Sequence, residues 1–190
     1  AQLDDAVAAY QGLLAMGYAP SAVVLAGDSA GGGLTLSTLI ALRERGIPMP
    51  AAAVLISPWT DLEARGASVR TNAQWDYITR RGLEVYARRF VAAHDMRNPL
   101  AAPAHAELHD LPPLLIQVGG AEALLDDGVQ LAERARAAGV SVELEVWPDM
   151  IHVWHAFAAL STEAREAIER IGAFCRLHGA AARDASDPTG

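Results

Sequence analysis

The segment Gly27-Asp28-Ser29-Ala30-Gly31 places a serine between two glycines, each two residues away. It follows an apolar run at residues 22–26 and precedes a helix-like stretch at residues 34–43. A G-x-S-x-G pattern between a strand and a helix is typical of a nucleophile elbow, a strained turn that exposes the serine hydroxyl. The two glycines are expected to remove Cβ atoms that would collide with the strand and the helix. Ser29 is therefore the candidate nucleophile.

The helix that follows Ser29 supplies a second chemical group. Backbone N–H groups at the start of a helix have no acceptor within it, and the helix dipole there favours negative charge. The N–H of Ala30 is thus a candidate to stabilise an oxyanion formed when Ser29 attacks a carbonyl carbon. The alternative interpretation is a glycine-rich connection that binds nothing. The strand and helix around the motif, with the further Gly32 and Gly33, argue against it.

An activated serine needs an imidazole as base, and the sequence has six histidines. His152 alone lies in a loop directly after a predicted strand, at residues 142–147, and is the candidate base. His155 lies one helical turn later and is expected to be a structural histidine. The others fall in an irregular segment or after the last helix, and they are expected to be solvated: His94, His105, His109 and His178.

The imidazole in turn needs a carboxylate that orients it and stabilises its cation. Three acidic residues follow the strand predicted at residues 114–118. Glu122 lies in the loop after this strand and is the favoured acid. Asp126 is the main alternative, followed by Asp127, but both begin a predicted helix, where carboxylates cap free N–H groups.

The elements that must position these residues alternate between strand and helix. Hydrophobic periodicity predicts helices at residues 1–16, 34–43, 128–138 and 162–177, and strands at residues 23–26, 51–57, 114–118 and 142–147. This alternation predicts an α/β fold, with a parallel sheet, right-handed crossovers and flanking helices. The three candidate residues then lie at the carboxyl ends of strands, where open α/β sheets place their sites.

The segment at residues 61–111 interrupts this alternation, because it is too long for a single crossover. It contains a predicted helix at residues 83–92 and four aromatic residues: Trp75, Tyr77, Tyr86 and Phe90. Two interpretations stay open. The segment covers the sheet with an ordinary amphipathic helix, contributes to the wall of a pocket, or does both.

The composition limits the classes of function. The chain of 190 residues is 52% hydrophobic, which suits one globular domain at residues 1–179, while the small and polar residues 180–190 are expected to be disordered. A net charge of −8 argues against nucleic acid or an anionic membrane as partner. No stretch approaches the roughly 20 apolar residues of a membrane span, and no signal peptide is evident, so a cytoplasmic protein is expected. No metal or organic cofactor is implied.

Beside the elbow, further stretches make the chain resemble the C-terminal part of a microbial esterase of the hormone-sensitive-lipase family of α/β-hydrolases. They follow the family's order: Leu3-Asp4-Asp5, Ser57-Pro58-Trp59-Thr60-Asp61-Leu62, Asn98-Pro99-Leu100, Leu111-Pro112-Pro113, residues 119–127 and Met150-Ile151-His152. The resemblance implies a triad of Ser29, Glu122 and His152 that hydrolyses short-chain acyl esters, a class of small-molecule substrate, through an acyl-enzyme. Val153 replaces a glycine that often follows the family's histidine.

The resemblance also indicates which parts of a family member are absent from these 190 residues. Family members carry an oxyanion stretch, His-Gly-Gly-Gly, before the first helix, together with an N-terminal cap and the first strands of the sheet. We therefore expect a truncated or incompletely represented esterase whose strand at residues 23–26 is an unpaired edge that invites self-association. The alternative function is an inactive fragment or a ligand-binding relative. Dinucleotide binding fails because Gly27, Ser29 and Gly32 do not form G-x-G-x-x-G.

Overall fold

A computed structural model, which describes residues 2–91 and 95–179, contains one sheet of four parallel strands. The strands lie side by side in chain order: β1 (Val24–Asp28), β2 (Ala52–Ile56), β3 (Leu114–Gly119) and β4 (Val142–Trp147). Each begins and ends within two residues of its predicted position. The expected α/β fold class is confirmed.

Helices cover both faces of this sheet. They are α1 (Gln2–Ala15), α2 (Ala30–Glu44), α3 (Ser68–Thr71), α4 (Arg80–Phe90), α5 (Leu125–Ala137) and α6 (Thr162–Gly179). Alternate residues of β2 face opposite sides, so Leu55 packs with α2 and α5 while Val54 packs with Phe174 of α6. This double cover explains why β2 and β3 are continuous apolar runs.

The strand β1 is an edge of this sheet. Within residues 2–91 and 95–179 it pairs with β2 alone. Its residues are less buried than those of β2 and β3, and Ala26 and Asp28 are exposed. The strand that leads to Ser29 therefore has one neighbour among the described strands.

The helix α4 packs on connecting segments of the chain and not on the strands of the sheet. Leu83 contacts a cluster that includes Val69 and Leu124, and Ala87 contacts one that includes Leu62 and Ala102. None of these residues lies in a strand, so the interpretation of this helix as a cover for the sheet is wrong. The four aromatic side chains that drew attention to this segment are all exposed.

No helix in the described part of the chain is long and apolar enough to cross a membrane. The tail at residues 180–190, expected to be disordered, lies outside the described residues, as do Ala92 of the predicted helix and His94.

Candidate active site

The backbone of Ser29 is strained. Its φ of 54° and ψ of −120° belong to a region that residues with a Cβ atom rarely occupy. Its N–H donates to the carbonyl of Ile56 at 2.9 Å, and its carbonyl accepts from Gly33 at 3.2 Å and from Trp59 at 2.9 Å. Main-chain hydrogen bonds from β2, the loop after it and α2 thus hold the turn between β1 and α2.

The two glycines of the motif are not equivalent. A Cβ atom on Gly27 would overlap the carbonyl of Gly31, so only glycine fits there. A Cβ atom on Gly31 would meet nothing closer than Asp28 Oδ1, at 3.8 Å. The expected steric need for glycine holds for Gly27 and is wrong for Gly31.

Exchange of each glycine for alanine tests this difference. Gly27→Ala is expected to destabilise the protein by about 1–3 kcal/mol, because the new methyl group forces the strand and helix apart. Gly31→Ala is expected to be neutral or stabilising by up to about 1 kcal/mol, since alanine favours a helix. Urea unfolding of the two variants measures both effects. Equal destabilisation by the two changes would contradict this account of the elbow.

His152 follows β4 and is brought against the elbow. Its Nε2 lies 2.8 Å from the Oγ of Ser29, and its side chain is buried. Burial lowers the pKa of His152, while the carboxylates of Asp76 and Asp28 oppose that shift. The imidazole is therefore neutral near pH 7, which is the form that can accept the proton of Ser29.

Glu122 follows β3 and is fully buried. Its Oε2 accepts a hydrogen bond from Ser57 Oγ at 2.7 Å and one from the Gly119 N–H at 2.9 Å. Burial raises the pKa of Glu122 to about 8, and these two hydrogen bonds limit the rise. Among the described residues, neither Glu122 Oε1 nor His152 Nδ1 has a hydrogen-bond partner. The structure thus joins Ser29 to His152, but no hydrogen bond joins Glu122 to His152.

The alternative acids bind elsewhere. Asp126 accepts from the N–H of Ser68 at 3.1 Å, and Asp127 accepts from the N–H groups of Thr60 at 2.8 Å and Asp61 at 2.9 Å. Both carboxylates therefore bind the segment between β2 and β3. The expectation that they cap their own helix is wrong, since these donors all lie outside α5.

Asp76 is a site residue that the sequence analysis missed. This buried carboxylate accepts from the N–H of Ala123 at 2.7 Å and from the N–H of His152 at 3.4 Å. It therefore connects the loop of the candidate acid to the loop of the candidate base. The sequence offers no signal for it, because Asp76 lies in an irregular segment and follows no strand.

Ala30, the candidate oxyanion donor, is the first residue of α2 and is exposed. At this position the N–H has no acceptor within the helix. It adjoins Ser29 in the chain, so the start of α2 and the candidate nucleophile lie together. The helix begins at Ala30 and not at residue 34 as predicted, which places this N–H in its first turn.

The remaining described histidines differ in their surroundings. His155 is buried, and its Nε2 lies 2.8 Å from Gln117 Oε1, as expected for a structural histidine. His109 is exposed, as expected. His105 and His178 are only partly exposed: His105 lies beside Asp61, and the ring of His178 packs on Phe174.

One group of side chains has the composition of a metal site. Possible ligand atoms of Asp61, Glu63 and His105 lie within 4.8 Å of one another. Arg65 Nε lies 2.8 Å from Asp61 Oδ2, and Arg97 Nε lies 2.8 Å from Glu63 Oε2. The two guanidinium groups already neutralise these carboxylates, so the group is explained as an ion-pair network.

Comparisons with known proteins connect this geometry to a family. A family model described as an alpha/beta hydrolase fold matches residues 1–156. An acetyl-hydrolase of Streptomyces hygroscopicus is 51% identical over 177 residues, covering 93% of this chain and 59% of the relative. A putative acetyl-hydrolase of Mycobacterium tuberculosis is 37% identical, covering 93% of this chain and 57% of the relative.

Solved structures give the same result. The crystal structure of an esterase from the bacterial hormone-sensitive lipase family is 50% identical and matches with a TM-score of 0.91, covering 93% of this chain and 60% of that one. The chain thus spans less than two thirds of the length of these relatives. Because the matches extend from α1 through the elbow to the loop of His152, the chain belongs to the hormone-sensitive-lipase family of α/β-hydrolases.

Proposed function

We propose that this protein is a serine carboxylesterase that hydrolyses short-chain acyl esters. The observation that carries the proposal is the 2.8 Å contact between Ser29 Oγ and His152 Nε2 at a strained strand-helix turn. A hydroxyl on a neutral imidazole is the arrangement that nucleophilic acyl transfer requires. The relatives named as acetyl-hydrolases support a short acyl group.

The proposed reaction has two halves. Ser29 Oγ attacks the ester carbonyl carbon while its proton passes to His152 Nε2, and the Ala30 N–H donates to the developing oxyanion. The tetrahedral intermediate collapses to an acyl-enzyme, and the leaving alcohol takes the proton from His152. A water molecule then attacks the acyl-enzyme with His152 as base, which releases the carboxylic acid and restores Ser29. Each step uses groups of this chain and water.

Glu122 is proposed as the acid partner of His152. If Nε2 accepts the proton of Ser29, the neutral ring must carry its own proton on Nδ1. A buried N–H needs an acceptor, and Glu122 Oε1 is a buried acceptor that also has no partner among the described residues. Glu122 and the residue after His152 both bind the hydroxyl of Ser57, which keeps the two loops together. A hydrogen bond from Nδ1 to Oε1 would satisfy both atoms.

We further propose that the segment at residues 61–111 forms a wall of the substrate site. The hydroxyl of Tyr77 donates to the carbonyl of His152 at 2.9 Å, and the two rings meet edge to face with centroids 5.8 Å apart. The neighbouring Trp75 is exposed. Aromatic side chains beside the base offer an apolar surface to the ester.

A ligand-binding protein without turnover is the second candidate. The observation that favours it is the lack of a hydrogen bond between Glu122 and His152 among the described residues, together with the raised pKa of Glu122. A neutral carboxyl group would not stabilise the imidazolium that forms during acyl transfer. In this role the chain would bind an ester without cleaving it.

Two measurements on the 190-residue chain separate these candidates. A fluorophosphonate probe is expected to add once, at Ser29, as located by intact mass and peptide mapping. Hydrolysis of p-nitrophenyl esters is expected to be fastest for acetate and to fall as the acyl chain lengthens. Reversible binding of these esters with neither adduct nor turnover would favour the ligand-binding role.

The exposed strand β1 leads to a prediction about assembly. We expect the chain to self-associate, because β1 pairs with β2 alone in the described sheet and offers its other edge to a second copy. Ala26→Lys, at an exposed position of β1, is expected to reduce the association, since charge at an edge opposes pairing. Light scattering over a concentration series measures both. A monodisperse parent monomer at every concentration would contradict the prediction.

A further inference from the structure

Ser57 connects the loops that carry the candidate acid and base. It follows β2 directly and is fully buried. Its hydroxyl donates to Glu122 Oε2 at 2.7 Å and accepts from the N–H of Val153 at 3.1 Å. Val153 is the residue after His152. One hydroxyl group thus contacts both the carboxylate after β3 and the main chain after β4.

The hydrogen bond to Glu122 also selects which carboxylate oxygen remains available. Oε2 is occupied by two donors, Ser57 Oγ and the Gly119 N–H, whereas Oε1 has no partner among the described residues. Donors on one oxygen stabilise the ionised carboxylate and leave the other oxygen for the imidazole. They act against burial, which favours the neutral form of Glu122.

The backbone of Ser57 has a conformation that disfavours any residue other than glycine. Its φ of 45° lies in the left-handed region, which glycine occupies without strain and serine does not. Glycine would relieve the strain and lose both hydroxyl contacts. The serine therefore keeps two hydrogen bonds at the expense of a strained main chain.

We propose that Ser57 is a positioning residue of this site, whose hydroxyl favours the ionised form of Glu122, orients its carboxylate and holds the main chain beside His152. The inference rests on the proposed function of Ser29, His152 and Glu122. Ser57 touches neither substrate nor the reacting atoms in this role. It acts through Glu122 and the loop of His152.

Ser68 provides a matched control within the same chain. Its buried hydroxyl donates at 2.7 Å, to the carbonyl of Ala123, and accepts at 3.1 Å, from the N–H of Asp126. These lengths equal those of the two Ser57 hydrogen bonds. Ser68 binds no side-chain oxygen of Glu122, so Ser68→Ala removes the same number of buried hydrogen bonds without removing the donor to the carboxylate.

The first test is the rate of fluorophosphonate addition to Ser29 as a function of pH. Ser57→Ala is expected to slow addition about tenfold at neutral pH and to move the rising limb of the profile upward by about one pH unit. The limb moves to higher pH because the active form needs an ionised Glu122. Without the hydrogen bond from Ser57, a higher pH is needed to ionise this carboxyl group. Ser57→Gly removes the hydroxyl but relaxes the backbone, and the same shift is expected. Ser68→Ala is expected to leave the limb in place.

The second test is the titration of Glu122 by carbon NMR, with the signal assigned by its loss in Glu122→Gln. Its midpoint is expected to rise by about one pH unit in Ser57→Ala and Ser57→Gly and to stay unchanged in Ser68→Ala. If the parent chain shows no addition at Ser29, the proposed function is wrong, and this titration still decides the role of Ser57. An unchanged midpoint in both Ser57 variants, or an equal rise in Ser68→Ala, would overturn the inference.

Discussion

Replacement of Ser29 by alanine is expected to remove all ester hydrolysis above the uncatalysed rate and to abolish fluorophosphonate labelling. The loss in a fully active site is on the order of 10⁶ in kcat, because the nucleophile and its base act as a unit. The structural reason is the contact between Ser29 Oγ and His152 Nε2, which alanine cannot make. Steady-state hydrolysis of p-nitrophenyl acetate and intact mass after labelling measure the two effects.

Ser37→Ala is the matched control for this prediction. Ser37 lies in the same strand-helix unit, within α2, and is buried. It is expected to keep the turnover and labelling of the parent, since its hydroxyl does not adjoin His152. Undiminished labelling of Ser29→Ala, or an adduct on another serine, would transfer the role of nucleophile away from the elbow.

Replacement of Glu122 by glutamine is expected to lower kcat by on the order of 10⁴, with the larger part of the loss in the chemical step. Glutamine retains the shape of the side chain but carries no charge to stabilise the imidazolium of His152. It can also present an N–H₂ group to Nδ1, which favours the wrong tautomer of the ring. Steady-state kinetics with p-nitrophenyl acetate measures the loss.

Asp126→Asn is the control for the acid. Its carboxylate accepts from the N–H of Ser68 and contacts neither Ser29 nor His152. Asparagine can still accept this hydrogen bond but carries no negative charge, so the change is expected to reduce the free energy of unfolding by about 0.5–1.5 kcal/mol and to leave kcat near that of the parent. A large loss of kcat in Asp126→Asn with little change in Glu122→Gln would transfer the role to Asp126.

The same Glu122 variant has a second readout in the pH dependence of stability. Burial raises the pKa of Glu122 from 4.5 to about 8, so the folded protein binds the proton more tightly than the unfolded chain. The resulting stabilisation is fully present below pH 4.5 and is lost as the pH rises through about 8. Glu122→Gln is expected to remove this part of the decline, as measured by urea unfolding across that range.

The strands were predictable because burial on both faces requires continuous apolar runs. The runs near Val54 and Leu115 became β2 and β3 with almost the expected ends. The start of α2 was placed too late, because glycines at residues 31–33 disfavour a helix locally. Tertiary packing requires glycine at this part of the helix, since a Cβ atom on Gly32 would lie 2.9 Å from the Cβ atom of Pro58.

The positions of the candidate nucleophile and the candidate base were predictable for a different reason, since parallel strands place all their carboxyl ends at one edge of a sheet. The contacts of Ser57 and Asp76 were not, because they depend on the directions of side chains in loops. The local capping rule failed for Asp127 because the N–H groups of Thr60 and Asp61, distant in sequence, are its donors. Such pairings exist only after the segment between β2 and β3 has packed.

In the proposed reaction, the strained turn at Ser29 determines when the nucleophile is oriented. Its three main-chain hydrogen bonds, to Ile56, Gly33 and Trp59, form when the protein folds and need not break between turnovers. The entropy lost in orienting the nucleophile is therefore lost once per folding event and not once per substrate molecule. For the proposed acyl transfer, the activation entropy is then expected to reflect mainly the ordering of the ester and of the attacking water. Preorganisation of the nucleophile is in this sense a property that the chain acquires before any substrate arrives.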